Sequence, residues 1–393
     1  MLVYVHVPFC RRKCRYCSFH SEVMPTAGSG WKLRRYTDAL FLEIAAWGDR
    51  LGRQQVSSVF FGGGTPSLLP ARTIGHILDR IHRTFNLDDP KAEVTMEANP
   101  ESLHTRLLAR EYLRAGVNRI SLGVQSLDDS MLELLGRTHR AREAVAAFTS
   151  IRSAGCANIS MDVIWGLPGQ SVKAWLTQLT EILRLSPDHL SCYNLTLEEG
   201  TPMSADCEHG VTLLPPERDQ AAMFVQGAEL LEEAGFMQYE ISNFARMGFQ
   251  CRHNLGYWEG EDYLGFGPSA TSTVSGRRWT NSSSHAAWER QITAGKLPST
   301  IETLDPATRV LELIMLRLRT ARGMRVKAYR ELTGRNFFKD HQKLIHALHK
   351  NGLIRIRDGY LRLTRNGMLV SDSILAALFD ASRDKLAAAP ETA

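Results

Sequence analysis

The 393-residue sequence predicts an α/β fold of parallel β/α units, a doubly wound sheet or a complete or partial barrel. A small helical unit with a hairpin follows it. Three observations predict this. Six short runs rich in β-formers alternate with stretches of helical periodicity, the pattern of parallel strands joined by crossover helices. Apolar residues make up 44% and charged residues 23%, as in a globular chain with a large core, and no apolar run approaches the 18 residues a membrane span needs. The charge is also uneven. The chain carries +5, yet Arg309 to Arg365 holds 15 Lys/Arg against 4 Asp/Glu, so the C-terminal part reads as a separate unit with its own surface.

The first strand is Val3–Val7, where Val3, Val5 and Val7 alternate with Tyr4 and His6 as a strand with one buried face requires. Leu33–Trp47 then places Leu33, Tyr36, Leu40, Ile44 and Trp47 on one helical face. Val56–Phe61, Glu93–Glu97, Arg119–Val124, Asn158–Ile164 and His189–Leu195 are the next strands. Between the last two, Val172–Leu185 is helical, its apolar face formed by Val172, Trp175, Leu176, Leu179, Ile182 and Leu183. Gln238–Phe244 extends the sheet. Lys296–Thr308, with Pro298, Ser299 and Pro306, reads as a linker, dividing a unit at 1–295 from one at 307–380. The second unit has helices at Arg309–Leu318, Val326–Leu332 and Phe337–Lys350. Leu353–Arg357 and Tyr360–Thr364, joined by Asp358-Gly359, read as a hairpin. Helices followed by a hairpin resemble a winged helix. An Ala-rich tail after Leu386 reads as loose, and there is no internal repeat.

Chemistry concentrates just after the first strand. Cys10, Cys14 and Cys17 lie within Val-Pro-Phe-Cys-Arg-Arg-Lys-Cys-Arg-Tyr-Cys. Three thiolates are one short of the four that usually hold an iron–sulfur cluster, which leaves one iron of a [4Fe–4S] cluster open to a small molecule. Structural zinc, with His20 as fourth ligand, is the alternative. A disulfide role is disfavoured, because no charged n-region and apolar h-region precede the strand; a cytoplasmic, reducing location follows. Gly62-Gly63-Gly64-Thr65-Pro66 follows the second strand and lets a ligand approach the backbone closely; a tight turn is the plain alternative. Glu97, Gln125, Arg137 and Asp162 stand at or just past later strand ends, the ligand-binding rim of parallel β/α folds. His253-Asn254-Leu255-Gly256-Tyr257-Trp258 offers an imidazole and flat rings to a haem, with Cys251 nearby; a surface loop with a satisfied histidine competes. The basic charges near the C-terminus are spread over helices and hairpin rather than gathered on one helix, which predicts a solvated or partner-facing surface and no nucleic-acid binding.

Together these motifs resemble a known family. Cys-x-x-x-Cys-x-x-Cys after Tyr-Val-His-Val-Pro-Phe is similar to the signature of radical S-adenosylmethionine (SAM) proteins, in the branch containing oxygen-independent coproporphyrinogen III oxidase. Phe61–Ser67, Met96–Pro100, Ser121–Ser126, Leu135–His139 and Asp162–Gly169 resemble motifs that recur there in this order, and the likeness runs from about residue 1 to about residue 375. The oxidases carry a fourth cysteine two residues after the third; here that position is Phe19. His253, Asn254, Tyr257 and Trp258 match a motif typical of HemW-type haem chaperones. The resemblance implies a partial (β/α)6 barrel with a winged-helix-like C-terminal domain. It implies a [4Fe–4S] cluster on Cys10, Cys14 and Cys17, and a SAM site lined by Tyr4, Gly63, Gly64, Thr65, Glu97, Gln125, Arg137, Asp162 and Thr196. It further implies haem binding and haem delivery to acceptors such as respiratory enzymes, with the oxidase as the rival activity. One departure is Thr271, where many relatives carry a histidine.

Overall fold

The computed structural model describes residues 1–24 and 30–387, with side chains to residue 382; most of the Ala-rich tail lies outside the described residues. Six parallel strands lie side by side in chain order: β1 (Leu2–Val7), β2 (Ser58–Gly63), β3 (Glu93–Ala98), β4 (Arg119–Gln125), β5 (Ile159–Trp165) and β6 (His189–Asn194). Each observed strand lies within two residues of the reading at either end. Parallel neighbours require crossovers. Those crossovers contain α1 (Gly30–Leu51), α2 (Ala71–Thr84), α3 (Arg106–Arg114), α4 (Ala141–Ser153) and α5 (Val172–Arg184), and α6 (Glu217–Glu233) follows β6.

The two faces of the sheet differ sharply. Val3, Val5 and Val7 of β1 are buried in the main core, as are Tyr36, Leu40, Ile44 and Trp47 of α1. Each fully buried aliphatic or aromatic side chain contributes about 1.5–3 kcal/mol. The alternate strand positions face inward, and many are polar: Glu97 of β3, Arg119, Ser121 and Gln125 of β4, Asp162 of β5 and Ser191 of β6 line interior cavities. The parallel strands therefore curl around a polar lumen.

β1 and β6 do not pair, so the barrel stays open and each edge is extended. On the β1 side β8 (Tyr263–Phe266) adds in parallel, and Thr271–Val274, Arg277–Thr280 and Glu302–Thr303 follow antiparallel. On the β6 side β7 (Asn243–Ala245) pairs antiparallel, followed by Met237–Gln238. The run expected at Gln238–Phe244 is thus two short strands around a turn. The expected linker Lys296–Thr308 is tied down as well, because Glu302 and Thr303 pair with Arg278 and Arg277.

Residues 310–378 build a second core, with Val310, Ile314 and Leu318 of α8 (Pro306–Leu318) meeting Tyr329, Phe337 and Leu361. The expected helix over Phe337–Lys350 breaks into Phe337–Asp340 and Gln342–Lys350. The wing is a hairpin of Ile354–Arg357 and Tyr360–Leu363. Its turn residues Asp358 (φ 54°) and Gly359 (φ 76°) both take left-handed backbone, as a two-residue hairpin turn with matching strand twist requires.

Candidate functional site

The loop after β1 carries all three cysteines. Its course is fixed by backbone bonds from Gly64 N–H to Val7 O (2.8 Å) and from Thr65 N–H to Phe9 O (2.7 Å), and Arg15 N–H reaches Leu135 O (3.1 Å). A side chain at Gly64 would place Cβ 2.6 Å from Phe9 O and 2.9 Å from Val7 O. Only glycine allows the two loops to lie this close. Gly63 takes φ +107°, and a Cβ there would meet the His6 ring at 2.5 Å.

Above these loops lies a cavity of about 390 Å³ at the C-terminal ends of the strands, within the size range of small-molecule sites. Cys10, Cys14, Cys17, Gly63, Gly64, Thr65, Glu97, Gln125, Arg137, Asp162 and Thr196 all line it. Arg137 spans its wall. Nη1 points at Cys14 Sγ (3.4 Å), Nη2 donates to Asn99 Oδ1 (2.6 Å) and Gly123 O (3.1 Å), and Nε has no partner. Thr65 Oγ1 points at Cys10 Sγ (3.7 Å) and accepts from Asn99 Nδ2 (3.0 Å). Gln125 has φ 63° next to a register shift in β4, an uncommon backbone for a non-glycine residue and one concentrated at functional sites.

Two carboxyls give the cavity its electrostatics. Glu97 accepts from Gly63 N–H (3.2 Å); burial, reinforced by nearby Asp162, pushes its pKa up to about 8. Asp162 is also raised by burial, against hydroxyl bonds from Ser191, Ser121 and Ser160. Glu101 moves the other way, to about 2. Burial raises it, but the His139 hydrogen bond and the Arg137 charge outweigh that.

The residues fit the implied groups. No three His, Cys, Asp or Glu among the described residues gather around a single-ion position, as tetrahedral zinc would need, while Cys10, Cys14 and Cys17 all border the one cavity. The unpartnered Arg137 Nε, the carboxyls and the glycine-lined wall suit a zwitterionic ligand with hydroxyls.

Tyr4 and the His253 motif border a second cavity that adjoins the first. His253–Trp258 is not a surface loop but part of α7 (Arg252–Glu259), which closes the N-terminal end of the barrel. Below the upper cavity is a second of about 180 Å³, lined by Tyr4, His253, Asn254 and Tyr257, and it shares Glu97, Ser121, Asp162 and Tyr193 with the first. Tyr4 directs its hydroxyl to His6 Nδ1 (3.2 Å), and its ring lies against Gly62, where a Cβ would stand 3.0 Å from it and 3.2 Å from Glu97 Oε2. The His253 ring is 1% exposed, with Nδ1 on Ser58 Oγ (2.9 Å) and Nε2 without a partner. Burial and the Arg119 charge hold it neutral, with a pKa lowered to about 3. Trp258 bonds to Glu240 and lines neither cavity. The Cys251 thiol is committed to Glu93 Oε1 (3.3 Å), and burial pushes its pKa up to about 12. A macrocycle does not fit beside His253 in this arrangement. Thr271 sits in an outer strand, its hydroxyl on Thr280 (2.9 Å), and borders neither cavity.

The sequence reading passed over Asn99, which links Arg137 to Thr65, and Ser121 and Arg119. The signal was present: Arg119, Ser121, Gly123 and Gln125 form a period-two stripe of polar and small residues along an otherwise apolar strand.

Residues 4–177 match the radical SAM superfamily, and residues 304–370 match the HemN C-terminal domain. The chain is 38% identical to the haem chaperone HemW of Synechocystis over 328 residues, covering 82% of this chain and 78% of that protein. It is 32% identical to the HemW of Bacillus subtilis, covering 95% and 98%. The bovine mitochondrial radical S-adenosyl methionine domain-containing protein 1 is 35% identical, covering 96% and 86%. Among solved structures, coproporphyrinogen III oxidase (HemN) from Escherichia coli superposes with a TM-score of 0.80 at 24% identity, covering 96% of this chain and 90% of that one, a likeness of fold. The upper cavity's place at the strand ends, the C-terminal domain and these similarities agree: the chain belongs to the HemW-type branch of the radical SAM superfamily.

Proposed function

We propose that this protein is a haem chaperone that carries a [4Fe–4S] cluster and SAM and passes haem to acceptor proteins such as respiratory enzymes. The observation that carries the cofactor part is the upper cavity, which three thiols, two close-packed glycines, Glu97, Arg137 and Asp162 all line. Cys10, Cys14 and Cys17 would hold three irons. Glu97 suits the amino group of SAM, Arg137 Nε its carboxylate, and Asp162 and Gln125 its ribose hydroxyls. A reduced cluster with SAM bound supplies one-electron chemistry at the sulfonium. The protein's own part is to orient the ligand and to exclude water. Phe19, where the oxidases have a fourth cysteine, is 67% exposed and lines the cavity mouth, so it adds no thiol there.

The haem part rests on the HemW relatives and on the His253, Asn254, Tyr257 and Trp258 motif. No helix among the described residues is long and apolar enough to cross a membrane, and we assign the protein to the cytoplasm with at most peripheral membrane contact. No nucleic-acid role is proposed. Arg317, Arg319, Arg322, Arg335 and Arg365 of the basic C-terminal unit are occupied in ion pairs with Glu259, Asp372, Asp340, Glu229 and Glu232. The deciding experiment is anaerobic reconstitution, with about four irons per chain expected, followed by haem titration beside a coproporphyrinogen oxidase assay. Haem binding without oxidase turnover supports the reading; turnover without haem binding overturns it. Stoichiometric zinc with no iron–sulfur spectrum overturns the cluster assignment.

A further inference from the structure

A fully buried positive charge lies below the site described above. Arg119, the first residue of β4, is 1% exposed. It opens the inward stripe that Ser121, Gly123 and Gln125 continue, and it lines the lower cavity. A guanidinium has five N–H donors and no acceptor, and burying its charge is costly unless those donors are met. Arg119 Nε has no partner, and the neighbouring acids Glu93 and Asp162 act on it only through space. Both are spent elsewhere. Glu93 accepts from Arg252 N–H (2.9 Å), His253 N–H (3.1 Å) and the Cys251 thiol (3.3 Å). Asp162 accepts from the hydroxyls of Ser121, Ser160 and Ser191.

A second polar atom meets the same space. His253 Nε2 is buried without a partner, and its ring borders the lower cavity. Where Ser58 Oγ donates to Nδ1, Nε2 carries the ring proton and is a donor. The rings of Tyr4, Phe60 and Tyr257 supply apolar surface beside these two groups. The volume of about 180 Å³ has room for a ligand of a few heavy atoms. His253 is held neutral, so Arg119 is the one cation among the lining residues. One cation balances a monoanion and leaves a dianion unpaired.

We propose that the lower cavity binds a small monocarboxylate, its carboxylate paired with the Arg119 guanidinium and hydrogen-bonded to His253 Nε2. The short alkyl part lies against the Tyr4, Phe60 and Tyr257 rings. The planar fork of arginine matches the two oxygens of a carboxylate, which no single water can do. Glu97, Ser121, Asp162 and Tyr193 border both cavities, so the acid sits directly beneath the ligand of the upper one. Nothing in this site depends on haem.

The test is a titration of isotopically labelled acetate into the reconstituted protein at saturating SAM, read by NMR line broadening. Acetamide is the uncharged probe of the same shape. SAM covers Arg137, the other buried guanidinium that could take an acid. Acetate should saturate below about 10 mM and bind at least about tenfold tighter than acetamide. Inorganic phosphate should not compete. Arg119→Lys keeps the charge, loses the fork, and should weaken acetate at least about tenfold while its thermal unfolding stays cooperative. Acetate displaced by SAM, acetate no tighter than acetamide, or no saturation below about 10 mM overturns the site in the wild-type protein, whatever the folding of the variant. Unchanged acetate affinity in Arg119→Lys overturns it as well. If SAM itself fails to bind, the cofactor reading falls, and the Arg119→Lys comparison still decides this site.

Discussion

Replacing Glu97 with Gln tests the raised titration of this buried carboxyl. The Glu97 carboxyl titrates near 8 in the folded protein against an ordinary value of 4.5, chiefly through burial and secondarily through Asp162. Between those two values the folded chain holds a proton that the unfolded chain has released, so stability falls as pH rises from about 4.5 to about 8 and is flat beyond. Each pH unit is worth about 1.4 kcal/mol, which sets a ceiling of about 5 kcal/mol. Glu97 faces an open cavity, and its water relaxes the field, so about 2 kcal/mol is the expected loss for wild type. Glu97→Gln keeps the Gly63 N–H bond through its amide oxygen and removes the titration. In thermal unfolding between pH 5 and 8.5 its melting temperature should decline about 2–3 °C less than that of wild type. A shallow slope should remain from Asp162, which burial also raises. SAM, a sulfonium cation, should stabilise wild type increasingly as pH rises from 6 to 8, and the Gln variant evenly. Parallel slopes in the two proteins, with and without SAM, would refute the reasoning.

Gly64→Ala forces a Cβ to within 2.6 Å of Phe9 O, a main-chain atom that cannot swing aside. It should cost about 1–3 kcal/mol and lower the iron retained after reconstitution; full iron loading with an unchanged melting temperature would contradict the packing argument. Arg137→Met leaves Asn99 Oδ1 and Gly123 O without their donor and should cost about 3 kcal/mol in urea unfolding, an expectation an unmoved midpoint would defeat. Gly359→Ala, at φ 76°, should destabilise the wing by about 1–2 kcal/mol, read as faster amide exchange over residues 354–363 while the barrel stays protected.

The barrel was legible in the sequence because its strands are buried on the helix-facing side by unbroken apolar alternation, and because catalytic-type residues fall at strand ends. The cysteine loop, the glycine turn, Glu97, Gln125, Arg137, Asp162 and Thr196 converge on one cavity for that reason. The helical setting of the His253 motif was not legible, because its aromatic and polar residues look the same on a surface loop as on a helix that plugs a polar lumen. Period and composition carry no information about which end of the barrel a segment closes. β1 sends both Tyr4 and His6 inward, and only the register against Phe60 and Gly62 shows that the Tyr4 ring lies against Gly62 of the glycine turn. The short edge strands at Met237–Gln238 and Glu302–Thr303 are two residues each, below what alternation can reveal.

The missing hydrogen bonds between β1 and β6 have a mechanical consequence. A closed barrel has a circumference fixed by strand number and stagger, so its bore changes only if ladder bonds break. Here the ring is a sprung clip. Its two jaws end in antiparallel flaps, Tyr263–Thr280 on one side and Met237–Ala245 on the other, and these already satisfy the backbone groups that an open edge would expose. Widening the bore therefore strains side-chain contacts across the gap while every strand ladder stays intact. α7 bridges the two jaws at one end, since Gly256 rests on Leu2 of β1 and Trp258 bonds Glu240 within the Met237–Ala245 flap.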